Sequence, residues 1–296
     1  IRKKLYQKTI SYINNLSVHS RYFILENRTH YPVTKVRRDA MKIGFIGLGN
    51  MAGTICQGVI ESGFIKGEDV CGFDINQDKL TQMEKDYGMC VCTSERDLVE
   101  HSDYVLMGVK PNVIESVLDK VKDLLDDKTI ISIVAGYSHE KYETLIPGTH
   151  HLTIMPNTPA KVFEGVTLFE RENTLTQEEF DFAYQMFESI GEVYVIDNKQ
   201  MIAGGALSGC GPAFVYMFIE ALADGAVLNG LPRDLAYKLA SQTVLGSAKM
   251  VQETKAHPGL LKDQVCSPGG ITIKGVKALE ENGFRNAVIE AIDKAK

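Results

Sequence analysis

Two glycine-rich stretches hold the residues whose types and spacing can do chemistry. In the first, Gly47, Gly49 and Ala52 stand in G-x-G-x-x-A spacing directly behind the apolar run 42–46. Gly47 permits a tight turn out of a strand, Gly49 lets a pyrophosphate approach the backbone, and small Ala52 lets a following helix pack close. With Leu48, Asn50 and Met51 between them, these residues form a candidate phosphate cradle at a helix N-terminus, where free N–H groups meet an anion. Asp74 closes the next strand 22 residues after Ala52, where an acid that holds ribose hydroxyls belongs. The second stretch is Ser267-Pro268-Gly269-Gly270, directly before an amphipathic helix. Its glycine pair exposes backbone N–H groups suited to a substrate carboxylate, and Thr272 adds a neutral donor and acceptor in the first turn.

Three further loops fall at strand ends, where open α/β sheets bind ligands. Gly108-Val109-Lys110-Pro111 offers Lys110 to a phosphate or ribose. Ile133, Val134 and Ala135, before Gly136, are small enough for a flat nicotinamide ring to lie against them. Met155-Pro156-Asn157-Thr158-Pro159 forms a rigid extended turn expected to present Asn157 and Thr158 to substrate. Absent from the residue set are a His–Asp pair at the strand ends, a metal cluster and a serine nucleophile elbow. Hydride transfer to a carbonyl wants a positioned acid–base group. Transfer to a protonated imine does not, because the substrate already carries the proton.

The elements that position these residues follow from periodicity. Strands are expected at 42–46, 69–73, 89–92, 104–109, 129–135, 151–155, 166–169 and 192–196. Between them lie helices from the glycine turn to about Ser62-Gly63, from Asn76 to Tyr87, around 97–100, over 113–125, and from a capping box at Thr176–Glu179 to Ile190. Alternating strands and helices mean right-handed crossovers and a doubly wound parallel sheet of Rossmann type. From Lys199 onward helical period dominates, so the expected domains are 41–198 and an all-helical 199–296. The segment Ser208–Ala213 reads as a small-residue turn before a helix over 213–229.

Composition sets outer limits. The chain has 296 residues, 44% hydrophobic and 24% charged, as in soluble globular proteins. No apolar run reaches the ~18–20 residues that a membrane span needs, so no membrane partner is expected. Residues 1–40 hold nine Lys/Arg against Glu26 and Asp39, leaving 23 basic and 36 acidic residues in the body. An acidic body argues against nucleic acid as a partner. The basic head has no apolar targeting core; the chain starts at Ile1 while Met41 opens the first strand, so the head reads as translated upstream sequence or a tag remnant outside the fold. Six cysteines without C-x-x-C spacing or a histidine at metal spacing fit reduced thiols and a cytoplasmic location.

The motifs together resemble the pyrroline-5-carboxylate reductase family. The resemblance covers about 250 residues, from 42 to the C-terminus, and rests on Gly47–Ala52, Val-Lys-Pro at 109–111, Met-Pro-Asn-Thr-Pro at 155–159, Leu-Ser-Gly-Cys-Gly-Pro-Ala at 207–213, and Pro258 through Ser-Pro-Gly-Gly-Ile-Thr to Glu280. It implies a Rossmann domain, then a helical domain that interleaves with its partner's to form a homodimer, in some cases a larger ring. It implies NAD or NADP held by Gly47–Ala52, Gly108–Pro111 and Ile133–Ala135. The cyclic imine 1-pyrroline-5-carboxylate would rest on the N–H groups of Gly270, Ile271 and Thr272, with the Thr272 hydroxyl near its ring nitrogen, and hydride delivery to the C=N carbon would give L-proline. Family habit favours NADPH, whereas Asp74 with no following Arg favours NADH, Lys79 being the nearest cation in sequence. The alternatives are a β-hydroxyacid dehydrogenase, for which the required mid-chain lysine is not found, and a cofactor-sensing protein without turnover.

Overall fold

The computed structural model describes residues 41–296; the basic head at 1–40 lies outside the described residues. The chain divides at Asn198/Lys199 into two compact units. In the first, short apolar runs become strands and the polar-faced segments between them become helices. The order is β1 (Ile43–Ile46), α1 (Asn50–Glu61), β2 (Val70–Phe73), α2 (Gln77–Tyr87), β3 (Cys90–Val91), α3 (Glu95–Glu100), β4 (Tyr104–Met107), α4 (Ile114–Val121), β5 (Thr129–Ser132), α5 (His139–Leu145), β6 (His150–Met155), β7 (Gly165–Glu170), α6 (Gln177–Glu188) and β8 (Gly191–Ile196).

The strands form one sheet in the order β3-β2-β1-β4-β5-β6-β7-β8. The first six run parallel, as right-handed crossovers require, and β7 lies antiparallel to β6. Strands β1, β4 and β5 are buried along their whole length, which is why they read as continuous apolar runs. Two hydrophobic clusters pack the faces: Phe45, Ile55, Phe169, Phe182 and Phe187 on one, and Ile46, Val105, Leu118, Val121 and Tyr142 on the other. Helix α2 ends at Gly88, whose φ of 69° gives the left-handed cap that a side chain would strain. Thr176 and Glu179 close a full capping box on α6.

The short helix α5 was not expected. Its seven residues, His-Glu-Lys-Tyr-Glu-Thr-Leu, bury only Tyr142, too little for a legible apolar stripe.

The second unit is helical: α7 (Met201–Gly205), a π-helical turn (Ala206–Cys210), α8 (Gly211–Leu228), α9 (Arg233–Thr254), α10 (Pro258–Gln264), α11 (Ile271–Glu281) and α12 (Phe284–Lys294). The expected turn at 208–213 is thus a wide helical turn inside a continuous helical run. Pro212 explains it, since it offers no N–H and its ring crowds the carbonyl four residues back. The run Asn198–Leu228, 31 residues with mean hydropathy 1.5 in its most apolar window, is long and apolar enough by length and composition to cross a membrane. That corrects the expectation of no such run: small neutral residues such as Gly204, Ser208 and Gly209 interrupt the apolar letters without lowering the average enough. Only 11% of that window is buried. The buried cluster of this unit is small, centred on Ala223, Ala236 and Ala240. Large apolar side chains such as Ile202, Leu207, Met217 and Leu239 are more than half exposed.

Candidate functional site

In the first unit the site is built at the C-terminal ends of adjacent parallel strands. Each strand end is tied to its neighbour beyond the strand proper. Gly47 N–H donates to Phe73 O at 2.8 Å, Gly108 N–H to Ile46 O at 2.9 Å, and Ile133 N–H to Met107 O at 3.2 Å. These bonds bring the loops after β1, β4 and β5 off the sheet at one level, at the point where strand order reverses between β1 and β4. Gly47 has φ of 83°, and a Cβ there would sit 3.0 Å from the Gly108 carbonyl. Gly108 in turn has no room, because an added Cβ would lie 2.5 Å from Ala52 Cβ. Ala52 therefore does what the spacing anticipates, letting α1 lie close on the β4 loop.

Gly49 is the opposite case. It is the N-cap of α1, it has no side-chain cap, and the nearest atom to an added Cβ is Gly108 O at 4.0 Å. The space above it is open and the first-turn N–H groups of Asn50 and Met51 have no capping side chain, an arrangement that can accept a phosphate oxygen. Leu48 is fully buried beneath the turn, and its N–H donates to Asp74 Oδ2 at 2.6 Å. Asp74 Oδ1 accepts Asn76 N–H at 2.8 Å. The carboxylate is thereby fixed against the glycine turn by two backbone donors, one oxygen each. Lys79 reaches over α1: its Nζ is 3.2 Å from where a Cβ on Gly53 would be. Sequence distance understated this cation, because the α2 start folds back over α1.

Of the β4 loop, Gly108 and Val109 are half-buried, while Lys110 and Pro111 are exposed. Lys110 O accepts Val113 N–H at 2.9 Å, closing the turn. After β5, which ends at Ser132 and not at 135, Ile133 is half-buried, Val134 buried and Ala135 exposed. Tyr137 buttresses both loops, since its hydroxyl donates to Glu115 Oε1 at 2.8 Å and lies 3.2 Å from Pro111 O.

Asn157 is placed otherwise than expected. It is 6% exposed, and its Oδ1 accepts Val166 N–H at 2.8 Å. The side chain thus pins the start of β7 instead of standing out of the loop; Thr158 is the exposed member. The two prolines made the turn rigid, but the unpaired β7 donor drew the amide inward. Beside this loop, on α5 and β6, His139, Glu143 and His151 bring three side-chain ligand atoms within 4.8 Å of one another.

In the second unit, α11 starts at Gly270 as N-cap with no side-chain cap, after Gly269 at φ of 68°. Gly270 N–H donates to Ser267 O at 3.0 Å, so it is spent within the loop. Of the three N–H groups expected to meet a carboxylate, those of Ile271 and Thr272 lie in the first turn of a helix with no side-chain cap. An added Cβ on Gly270 would lie 3.1 Å from Ser267 O and closer still to the rotatable Ser267 hydroxyl. Ile271 is 87% exposed, and Thr272 is exposed as well.

Comparison with known proteins bears directly on this layout. The family model described as pyrroline-5-carboxylate reductase dimerisation matches residues 198–296, and that for NADP oxidoreductase, coenzyme F420-dependent, matches 42–136. The pyrroline-5-carboxylate reductase of Methanosarcina acetivorans is 41% identical over 261 residues, covering 86% of this chain and 97% of that one. That of Escherichia coli is 41% identical over 255 residues, covering 86% and 95%. The chain belongs to the pyrroline-5-carboxylate reductase family. The crystal structure of Plasmodium falciparum pyrroline carboxylate reductase with NADP bound is similar at a TM-score of 0.81, with 34% identity over 88% of this chain and 97% of that one.

Membership accounts for the poor core of the second unit, whose matching family model is a dimerisation domain. The sequence reading of this family member missed the closeness of Lys79, the Tyr137 brace and the π-helical turn. Pro212 was a legible signal for the last; the other two have none in local sequence.

Proposed function

We propose that this protein reduces 1-pyrroline-5-carboxylate to L-proline with NAD(P)H, as a homodimer. The observation that carries the reading is the uncapped start of α11, with open N–H groups on Ile271 and Thr272 beside the Thr272 hydroxyl, in a chain of this family. The nicotinamide, when bound, supplies a hydride to the C=N carbon. The chain's residues bind and orient. Asn50 and Met51 N–H groups meet the pyrophosphate over Gly49, Asp74 takes the ribose hydroxyls, and Gly108–Pro111 with Ile133–Ala135 border the rest of the dinucleotide. Ile271 and Thr272 N–H groups take the substrate carboxylate, and the Thr272 hydroxyl steadies the ring nitrogen. No acid is needed on the protein, because the iminium arrives protonated and its nitrogen becomes the amine on receipt of hydride. Rate enhancement then comes from orientation, with electrostatics in support. Asn157 acts indirectly, by fixing the loop that carries Thr158.

The exposed apolar faces of α7 to α9 support dimerisation, and a larger ring of dimers is compatible with them. The free cysteines, including buried Cys56, Cys71 and Cys92, suit a reducing compartment such as the cytoplasm. The acidic body supports small-molecule chemistry over nucleic-acid binding. The test is cofactor oxidation with pyrroline-5-carboxylate, with proline identified as product. Turnover with NADH or NADPH is expected; none with either would overturn the reading.

A further inference from the structure

We propose that His139, Glu143 and His151 form a binding site for one zinc ion per chain, fastening α5 to β6. His139 and Glu143 are four residues apart on α5 and so share a face, while His151 stands near the start of the adjoining strand. His139 Nδ1 lies 3.0 Å from His151 Nε2, and His151 Nε2 lies 3.7 Å from Glu143 Oε1. Ligand atoms about 2.1 Å from a tetrahedral ion are about 3.4 Å apart, a spacing these two distances bracket.

A hydrogen-bonded histidine pair alone does not account for the cluster. One such bond uses one proton and one lone pair, and leaves Glu143 unserved. Glu143 Oε1 is buried and has no hydrogen-bond partner among the described residues, although the side chain as a whole is 40% exposed. A buried carboxylate oxygen in that state is costly, and a cation removes the cost. The imidazoles suit the same purpose. His151 Nδ1 is occupied by the Thr174 hydroxyl at 3.3 Å, which turns Nε2 toward His139 and Glu143. Glu170 Oε2 accepts His139 N–H at 2.9 Å and so anchors the first residue of α5.

Two nitrogens and one oxygen select zinc over magnesium or calcium, which take oxygen ligands, and leave a fourth position for water. The site lies directly after the loop Ile133–Gly136, so an ion here stiffens one wall of the candidate nicotinamide position without touching the reacting atoms. It stands independently of the function proposed above.

The test uses the full-length dimer stripped with EDTA and titrated with Zn²⁺ by calorimetry. The parent, Glu143→Gln and His139→Gln are compared; buried His151 is left alone to preserve folding. One Zn²⁺ per chain is expected in the parent, with affinity lower by about tenfold or more in each variant, and no response to Mg²⁺. Co²⁺ should give visible d–d bands without the thiolate charge-transfer band that cysteine ligation adds. Parent-like affinity in both variants, a thiolate band in place of the d–d pattern, or no zinc binding by the parent would each overturn the proposal.

Discussion

Thr272 is the residue on which the proposed chemistry leans most. It stands in the first turn of an uncapped helix, beside the two open N–H groups. A hydrogen bond to a charged group is worth about 1.5–3 kcal/mol, so Thr272→Ala should lower kcat/KM roughly ten- to a hundredfold, read from steady-state rates. Unchanged turnover would take Thr272 out of the site. Asp74 decides a second question at this scale. Its oxygens are fixed by Leu48 and Asn76 N–H groups; in the proposed binding mode they take the ribose hydroxyls, and a 2′-phosphate would meet like charge. Lys79 Nζ lies over Gly53 of α1, and the Plasmodium relative holds NADP. The carboxylate is the fixed group and the lysine the flexible one, so NADH should serve at least as well as NADPH, and Asp74→Ser should move preference toward NADPH. A parent kcat/KM about tenfold higher with NADPH would mean that the lysine prevails.

Among the described elements, α6 is held by a concentrated set of polar bonds at its start. Glu179 accepts the Thr176 N–H, the Thr129 hydroxyl and His150 Nδ1, the last at 2.7 Å. Burial by itself would raise the Glu179 pKa, but the hydrogen bonds, led by that from His150, outweigh it and hold the pKa below the ordinary 4.5. A depressed pKa in the folded state means that this contribution is complete above about pH 4.5 and is lost as pH falls through the lower, folded value. Glu179→Gln should cost about 1–2 kcal/mol in urea unfolding at pH 7 and flatten the loss of stability below pH 4.5. A variant with the parent's acid profile would place the acid sensitivity elsewhere. The thiols illustrate the same balance: burial pushes Cys56 up to about 12, whereas the neighbouring Cys92 thiol draws Cys71 below the ordinary thiol value.

At the scale of the whole molecule, the two units differ in how they are stabilised. The first buries large aromatic side chains such as Phe45, Tyr142 and Phe187 at under 2% exposure. The second buries little beyond alanines and leaves Met217 at 68% and Leu207 at 64% exposed. An apolar surface of that extent needs a partner surface, and a dimerisation domain provides one. Folding of 199–296 should therefore depend on protomer concentration. Dilution to the nanomolar range, followed by sedimentation and circular dichroism, should show helix loss along with dissociation; a folded monomer there would refute it.

What the sequence determined by itself is what is written locally. The strand–glycine turn–helix at 42–61, the Gly88 stop and the Thr176–Glu179 box are each set by backbone sterics and bonds between residues a few positions apart. The doubly wound sheet follows from the alternation of such pieces and the handedness of their connections. The tertiary structure decided where polar groups go once long-range partners are available. Val166 N–H drew Asn157 inward, Lys79 came back over Gly53, and α5 carried His139 and Glu143 to His151. None of these is visible locally, because a buried donor or acceptor is satisfied by whichever partner the packing brings within about 3 Å, however far away it lies in sequence.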